Sequence, residues 1–206
     1  MRLAAKSDIA AVWIRRWLIL IAIMVYAMIL IGGMTRLTDS GLSITEWQPI
    51  SGTLPPLSEE AWAIEFAKYQ NTAEFQQQNY NMTMGEFQYI YWWEWGHRLF
   101  GRLIGLVAIG GFIWFLAKGW LTRSLSMHLV ALIALGGLQG AIGWWMVSSG
   151  IGETDRLDVA PYRLATHFVL ALVIIGYTVW IWLDLGRREG IGASAGLRWV
   201  SLLLLG

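Results

Sequence analysis

The sequence contains no cysteine. That excludes disulfide frameworks, thiolate metal sites, iron–sulfur clusters, covalently attached c-type haem and cysteine nucleophiles. Charge is scarce as well: 14% of the 206 residues are charged, against about 25% in a typical soluble domain. The formal net charge is only +1, and no nucleic-acid partner is expected. No small-residue cleavage site follows the first apolar run, so that run is read as a retained helix and not as a signal peptide.

What the chain has in quantity is apolar surface. Hydrophobic residues make up 56% of it, 14 residues are Trp, and the mean hydropathy is +0.51. A membrane helix needs about 20 mostly apolar residues. Four such segments are expected, at about 17–35, 89–117, 125–147 and 164–185, giving an all-α, antiparallel four-helix transmembrane bundle. A fifth apolar segment opens at Arg198 and Trp199 and is too short to span by Gly206. The expectation is a truncated start of a fifth helix at 198–206, after a four-helix unit over 1–197.

Charge placement sets the orientation. Arg2, Lys6, Arg15, Arg16, Lys118, Arg123, Arg187 and Arg188 gather on one side. The opposite loops, 37–88 and 148–162, hold ten acidic residues and only Lys68 and Arg156 as bases. The positive-inside rule then places the N-terminus in the cytoplasm or matrix. In the long outer loop, Trp62, Phe66 and Tyr69 recur at helical spacing behind a Ser58 cap, which predicts a short amphipathic helix near 59–70. Thr83-x-x-Glu86 reads as a capping box before the second span. Asn81-Met82-Thr83 fits a glycosylation sequon.

Ionisable groups inside a membrane are costly and mark function by default. Glu94, His97 and Arg98 fall on one face of the second span, followed by Arg102. Arg163 and His167 share a face of the fourth. Because these spans run antiparallel, both histidines reach similar depth near the outer side. Three readings follow: a haem clamped between two imidazoles, a metal site made of Glu94, His97 and His167, or plain interhelical hydrogen bonding. Equal depth, with Arg or Glu one turn away, favours haem. Arg98, Arg102 and Arg163 would then pair with propionates. Glu94 reads either as an ordinary interface carboxylate or as the group that moves a proton or holds positive charge beside the ligand. Gly101 and Gly105 form a bare strip below His97, suited to a flat macrocycle or to close helix packing. Gly32-Gly33, Gly136-Gly137, Gly140 and Gly143 read as tight helix contacts, and Gln139 as an interhelical donor. Leu30-Ile31-Gly32-Gly33 aligns loosely with Ala134-Leu135-Gly136-Gly137, a hint of a pseudo-repeat. His128 is expected to be interfacial, without a partner at its depth.

Several long motifs resemble the haem A synthase family: Gly32-Gly33-Met34-Thr35-Arg36-Leu37-Thr38-Asp39-Ser40-Gly41-Leu42-Ser43, Glu46-Trp47-Gln48-Pro49, Trp92-Trp93-Glu94-Trp95-Gly96-His97-Arg98, Gln139-Gly140-Ala141-Ile142-Gly143-Trp144-Trp145 and Tyr162-Arg163-Leu164-Ala165-Thr166-His167. The absence of cysteine is similar to the proteobacterial and mitochondrial subgroup. The resemblance implies an eight-helix, two-repeat architecture of which this is the first half, in a bacterial or mitochondrial inner membrane. It implies an oxidoreductase that converts the C8 methyl of haem O to the formyl of haem A for cytochrome c oxidase, with water as oxygen source. His97 and His167 would be the axial ligands of the substrate haem and Glu94 the essential carboxylate. A haem b relay is expected in the other half. The implied partners are haem O, haem A, haem O synthase, oxidase assembly factors, membrane lipid and a second copy of the chain. On this pattern the 206-residue chain is expected to bind one haem without sustaining turnover. The alternatives are a b-type haem electron-transfer subunit or a non-catalytic haem-binding assembly protein.

Overall fold

The computed structural model of the protein describes residues 3–151 and 154–187. The expected fifth helix at 198–206 lies outside the described residues. Along the described chain run α1 (Asp8–Leu37), a 3-10 turn (Ser51–Thr53), α2 (Glu59–Gln70), α3 (Ala73–Gln77), α4 (Met84–Ala117), α5 (Arg123–Val147) and α6 (Pro161–Gly186). Helices α1, α4, α5 and α6 are long and apolar enough to cross a membrane, as the sequence predicts.

Capping chemistry, not hydropathy, sets their ends, so most begin before the apolar runs. Ser7 accepts from Ala10 N and starts α1 at Asp8, nine residues ahead of the expected Trp17. The Thr83–Glu86 capping box is formed at both bonds and starts α4. Thr122 caps α5, and Pro161 occupies the first turn of α6, where a missing N–H is no loss. After α4, Gly119 adopts φ +66, which lets the chain reverse within a few residues.

Helix α1 packs against α4 and α6, and α5 packs against the same two. Helices α4 and α6 therefore stand diagonally across the bundle. The α1–α4 pairing is antiparallel and in even register: Gly32 lies beside His97, Met28 beside Gly101, and Trp17 donates to Val107 O at 2.9 Å.

Two hydrophobic cores hold the described residues together. One fills the end near the N-terminus, with Ile14, Leu18, Phe115, Leu125, Leu129 and Ile181 buried together. The segment before α1 seals it: Leu3 N donates to the buried Asp184 carboxylate at 2.6 Å, and Thr122 Oγ1 donates to Ala4 O at 2.7 Å. The second core lies under the long loop. The aromatic stripe of α2 packs onto α4, with Trp62 edge-on to Tyr91 at 5.0 Å and Phe66 against Phe87 at 4.9 Å. Such pairs contribute about 0.5–1.5 kcal/mol each beyond their burial. In a chain without disulfides, they fasten the cap.

Between the cores, full burial stops. No residue of α1 between Val25 and Thr35 is fully buried, nor of α4 between Glu94 and Phe115, of α5 beyond Leu132, or of α6 before Ile174. The loop-side half of the bundle is thus packed less tightly than its two ends.

Two expectations are corrected. Gly33, Gly136, Gly137 and Gly140 do not make tight helix contacts; a Cβ there would meet nothing within 4 Å. His128 is not partnerless: Nδ1 lies 2.6 Å from the Tyr177 hydroxyl, one helix away on α6.

Glu74 on α3 is 4% exposed, and its Oε2 is buried without a partner. Burial, reinforced by the charges of Asp39, Glu94 and Asp158, raises its carboxyl from 4.5 to about 8. The unfolded chain therefore releases this proton near pH 4.5 while the folded cap retains it, so folding weakens as pH rises from about 4.5 towards 8. Glu74→Gln should remove most of that decline. Thermal midpoints in detergent at pH 5 and pH 8.5 measure it; an equal decline in wild type and variant would contradict the assignment.

Candidate functional site

The site forms in the stretch of the bundle between the two cores. His97 on α4 lies against Gly32 of α1: a Cβ at position 32 would stand 3.3 Å from its Nε2. His167 on α6 lies against Gly143 of α5, where a Cβ would stand 2.9 Å from Cε1. Each imidazole thus rests on bare backbone of the neighbouring helix. The two rings are on diagonal helices and within electrostatic range of one another. This arrangement also shifts the pseudo-repeat. Gly32 corresponds in role to Gly143, two helical turns beyond the Gly136 that sequence alignment suggests.

Glu94 is one turn nearer the loop and 3% exposed. Its Oε2 accepts from Ser43 Oγ at 2.7 Å and Ile44 N at 2.8 Å. Its Oε1 accepts from Arg98 Nη2 at 2.6 Å and Nε at 3.1 Å. Four donors therefore hold one carboxylate, two of them from the loop after α1. Sequence reasoning paired Glu94 with Arg98 by spacing but did not find Ser43 or Ile44, since no periodicity links a loop to a helix fifty residues away.

The arginines complete a second set of ties. Arg98 donates to Ile44 O and Glu46 O, each at 2.9 Å. Arg102 donates to Gln48 O at 2.8 Å and Pro49 O at 2.9 Å. By the α1–α4 register, the Arg102 backbone lies about 13 Å deeper than Arg36. Its side chain leans back towards the start of α4, as helical side chains do, to meet the loop. Irregular backbone at such depth is tolerated only where its polar groups are satisfied. These guanidinium groups satisfy it. Trp47 of the same loop stacks on Trp144 of α5 at 6.0 Å, so the segment wedges between α4 and α5. Arg163 donates to Trp145 O at 2.7 Å and lies over the Trp145 ring at 4.7 Å. Arg102 Nη1 remains buried without a partner.

The residues present fit a haem. Two imidazoles on diagonal helices each rest on a glycine and lie within electrostatic range of one another, and three guanidinium groups gather at the loop side. They do not fit the triad of Glu94, His97 and His167. Among the described residues no three His, Asp or Glu side chains converge on a metal position, and the Glu94 oxygens are already engaged. Gly101 touches only the end of Met28 and Gly105 opens to free space, so the strip below His97 is accessible.

Arg102→Leu would leave the carbonyls of Gln48 and Pro49 unpaired, at about 1–3 kcal/mol each. Protease cleavage between residues 48 and 53 should then accelerate roughly tenfold or more, because it follows the open population. Cleavage within α2 should be unchanged; equal acceleration at both sites would mean global unfolding and sink the tie.

Residues 15–206 match the family model for the cytochrome oxidase assembly protein COX15-CtaA. A heme A synthase from Hyphomonas neptunium is 63% identical over 98% of this chain and 58% of its own length. One from Maricaulis maris is 54% identical over 91% of the chain and 58% of its own length. One from Cereibacter sphaeroides is 56% identical over 85% of the chain and 45% of its own length. The chain thus spans about half the length of the curated relatives it matches. No solved structure matches it. The chain is an integral membrane protein belonging to the COX15-CtaA cytochrome oxidase assembly family.

Proposed function

We propose that this protein acts as a haem A synthase, holding haem O between His97 and His167 while its C8 methyl group is oxidised to a formyl group with oxygen from water. The observation that carries the reading is the pair of glycine-seated imidazoles on diagonal helices, one of them a turn from a buried carboxylate. The bound haem would supply the iron and the ring through which electrons leave. The chain's own residues do the rest. His97 and His167 bind and orient the ring. Arg98, Arg102 and Arg163 carry positive charge at the loop side, where propionates would lie, and the free Arg102 Nη1 has a donor to spare.

Oxidising a methyl carbon with water releases protons along with electrons. Glu94 faces that chemistry as a carboxylate that accepts four hydrogen bonds. It stabilises positive charge and aims Arg98, while Ser43 and Ile44 hold its other oxygen. The cationic end then faces the cytoplasm of an inner membrane, or the matrix, and the site opens to the opposite side. Haem b as electron relay, haem O synthase and oxidase assembly factors are the expected partners, with a second copy of the chain as a further one.

The test is to express the protein in haem O-producing cells without their own haem A synthase and to read membranes by pyridine haemochrome spectra. His97→Ala and His167→Ala should lose bound haem. Glu94→Gln should keep haem while haem A formation falls at least about a hundredfold. Undiminished haem A in Glu94→Gln would point to a haem-binding assembly role.

A further inference from the structure

We propose that Gln139 is a positioning residue that holds His167 in the tautomer protonated at Nδ1, keeping the Nε2 lone pair ready for iron; this rests on the haem reading above. Gln139 lies one turn before Gly143 on α5, so one face of that helix presents both to the same imidazole. The Gln139 side-chain nitrogen donates to the His167 carbonyl at 3.0 Å and lies 3.3 Å from His167 Nε2. A carbonyl oxygen only accepts, so the amide atom facing it must be the nitrogen; the flipped amide would set two acceptors against each other. That nitrogen carries two hydrogens. One goes to the carbonyl and the other points at Nε2. A ring nitrogen facing a donor holds the lone pair, which puts the proton of the neutral ring on Nδ1.

The arrangement is not the one that best satisfies its own polar groups. His167 Nδ1 and Gln139 Oε1 are both buried without partners. Orphans of this kind call for a reason other than stability. Gln139 supplies one: it caps the Nε2 lone pair with a long, weak bond that iron can displace, while the carbonyl bond keeps α6 in place. Gly143 leaves room for the ring on the other side, where a Cβ would stand only 2.9 Å from Cε1.

The ring-nitrogen shifts of 15N-histidine protein in detergent, with the His167 signals assigned by their loss in His167→Ala, read the tautomer directly. Protonation at Nδ1 in the haem-free protein is expected; protonation at Nε2 overturns the proposal. Haemin titration of the full chain gives the second measurement. Gln139→Glu replaces the donor with an acceptor, favouring Nε2–H, and should weaken haemin binding, because that proton must leave before Nε2 can bind iron. It should also add a high-spin component to the electron paramagnetic resonance spectrum. If that variant does not fold, Gln139→Met, which cannot donate, should convert the His167 signals to a tautomer mixture. Haemin affinity and spin state equal to wild type in the folded variant, or an unchanged tautomer in Gln139→Met, overturn the proposal. Failure of the haem reading looks different: haemin would bind wild type, His97→Ala and His167→Ala alike, and the nitrogen shifts would still decide the Gln139 contact.

Discussion

The loop end of this protein depends on one buried carboxylate. Glu94 ties the helix that carries His97 to the loop after α1, through Ser43 and Ile44, and orients Arg98 through its other oxygen. Arg98 in turn reaches two carbonyls of the same loop, and Arg102 two more. Within the thickness of a membrane, water is not at hand to satisfy such groups, and an unsatisfied one is expensive. A single ion pair therefore organises a whole stretch of irregular chain and sets it as a wedge between α4 and α5.

The same constraint explains the shape of the bundle. Tight aliphatic packing near the N-terminal end and aromatic packing under the cap clamp four long helices at both extremities. Between them the helices can stay apart without losing register. Glycines then do something other than bring helices together. Gly32 and Gly143 receive histidine rings, and Gly105, Gly136 and Gly140 face open space. A bundle clamped at both ends can keep two histidine rings seated on glycines between them.

Much of this was legible from residue order. The caps at Ser58 and Thr83, the aromatic stripe of α2 and the membrane spans rest on local rules: hydrogen bonds within one turn, periodicity of 3.6, and runs of apolar side chains. Those rules reach four or five residues. Ser43 and Glu94 are joined across 51 positions, Gln139 and His167 across 28, His128 and Tyr177 across 49, and none leaves a periodic trace. The glycine runs carried a visible signal whose meaning was ambiguous, because a missing side chain permits a helix, a ring or nothing to approach.

By itself, then, the sequence determined that four helices among the described residues are long and apolar enough to cross a membrane, and which side chains within them are ionisable. Helical geometry and hydrophobic transfer settle those points residue by residue. Only the tertiary structure decided that α4 and α6 stand diagonally, that each imidazole rests on a particular glycine, and that the arginines serve loop carbonyls. Those outcomes depend on which helix lies beside which. That choice is made by packing summed over whole faces and by the demand that every buried polar group find a partner.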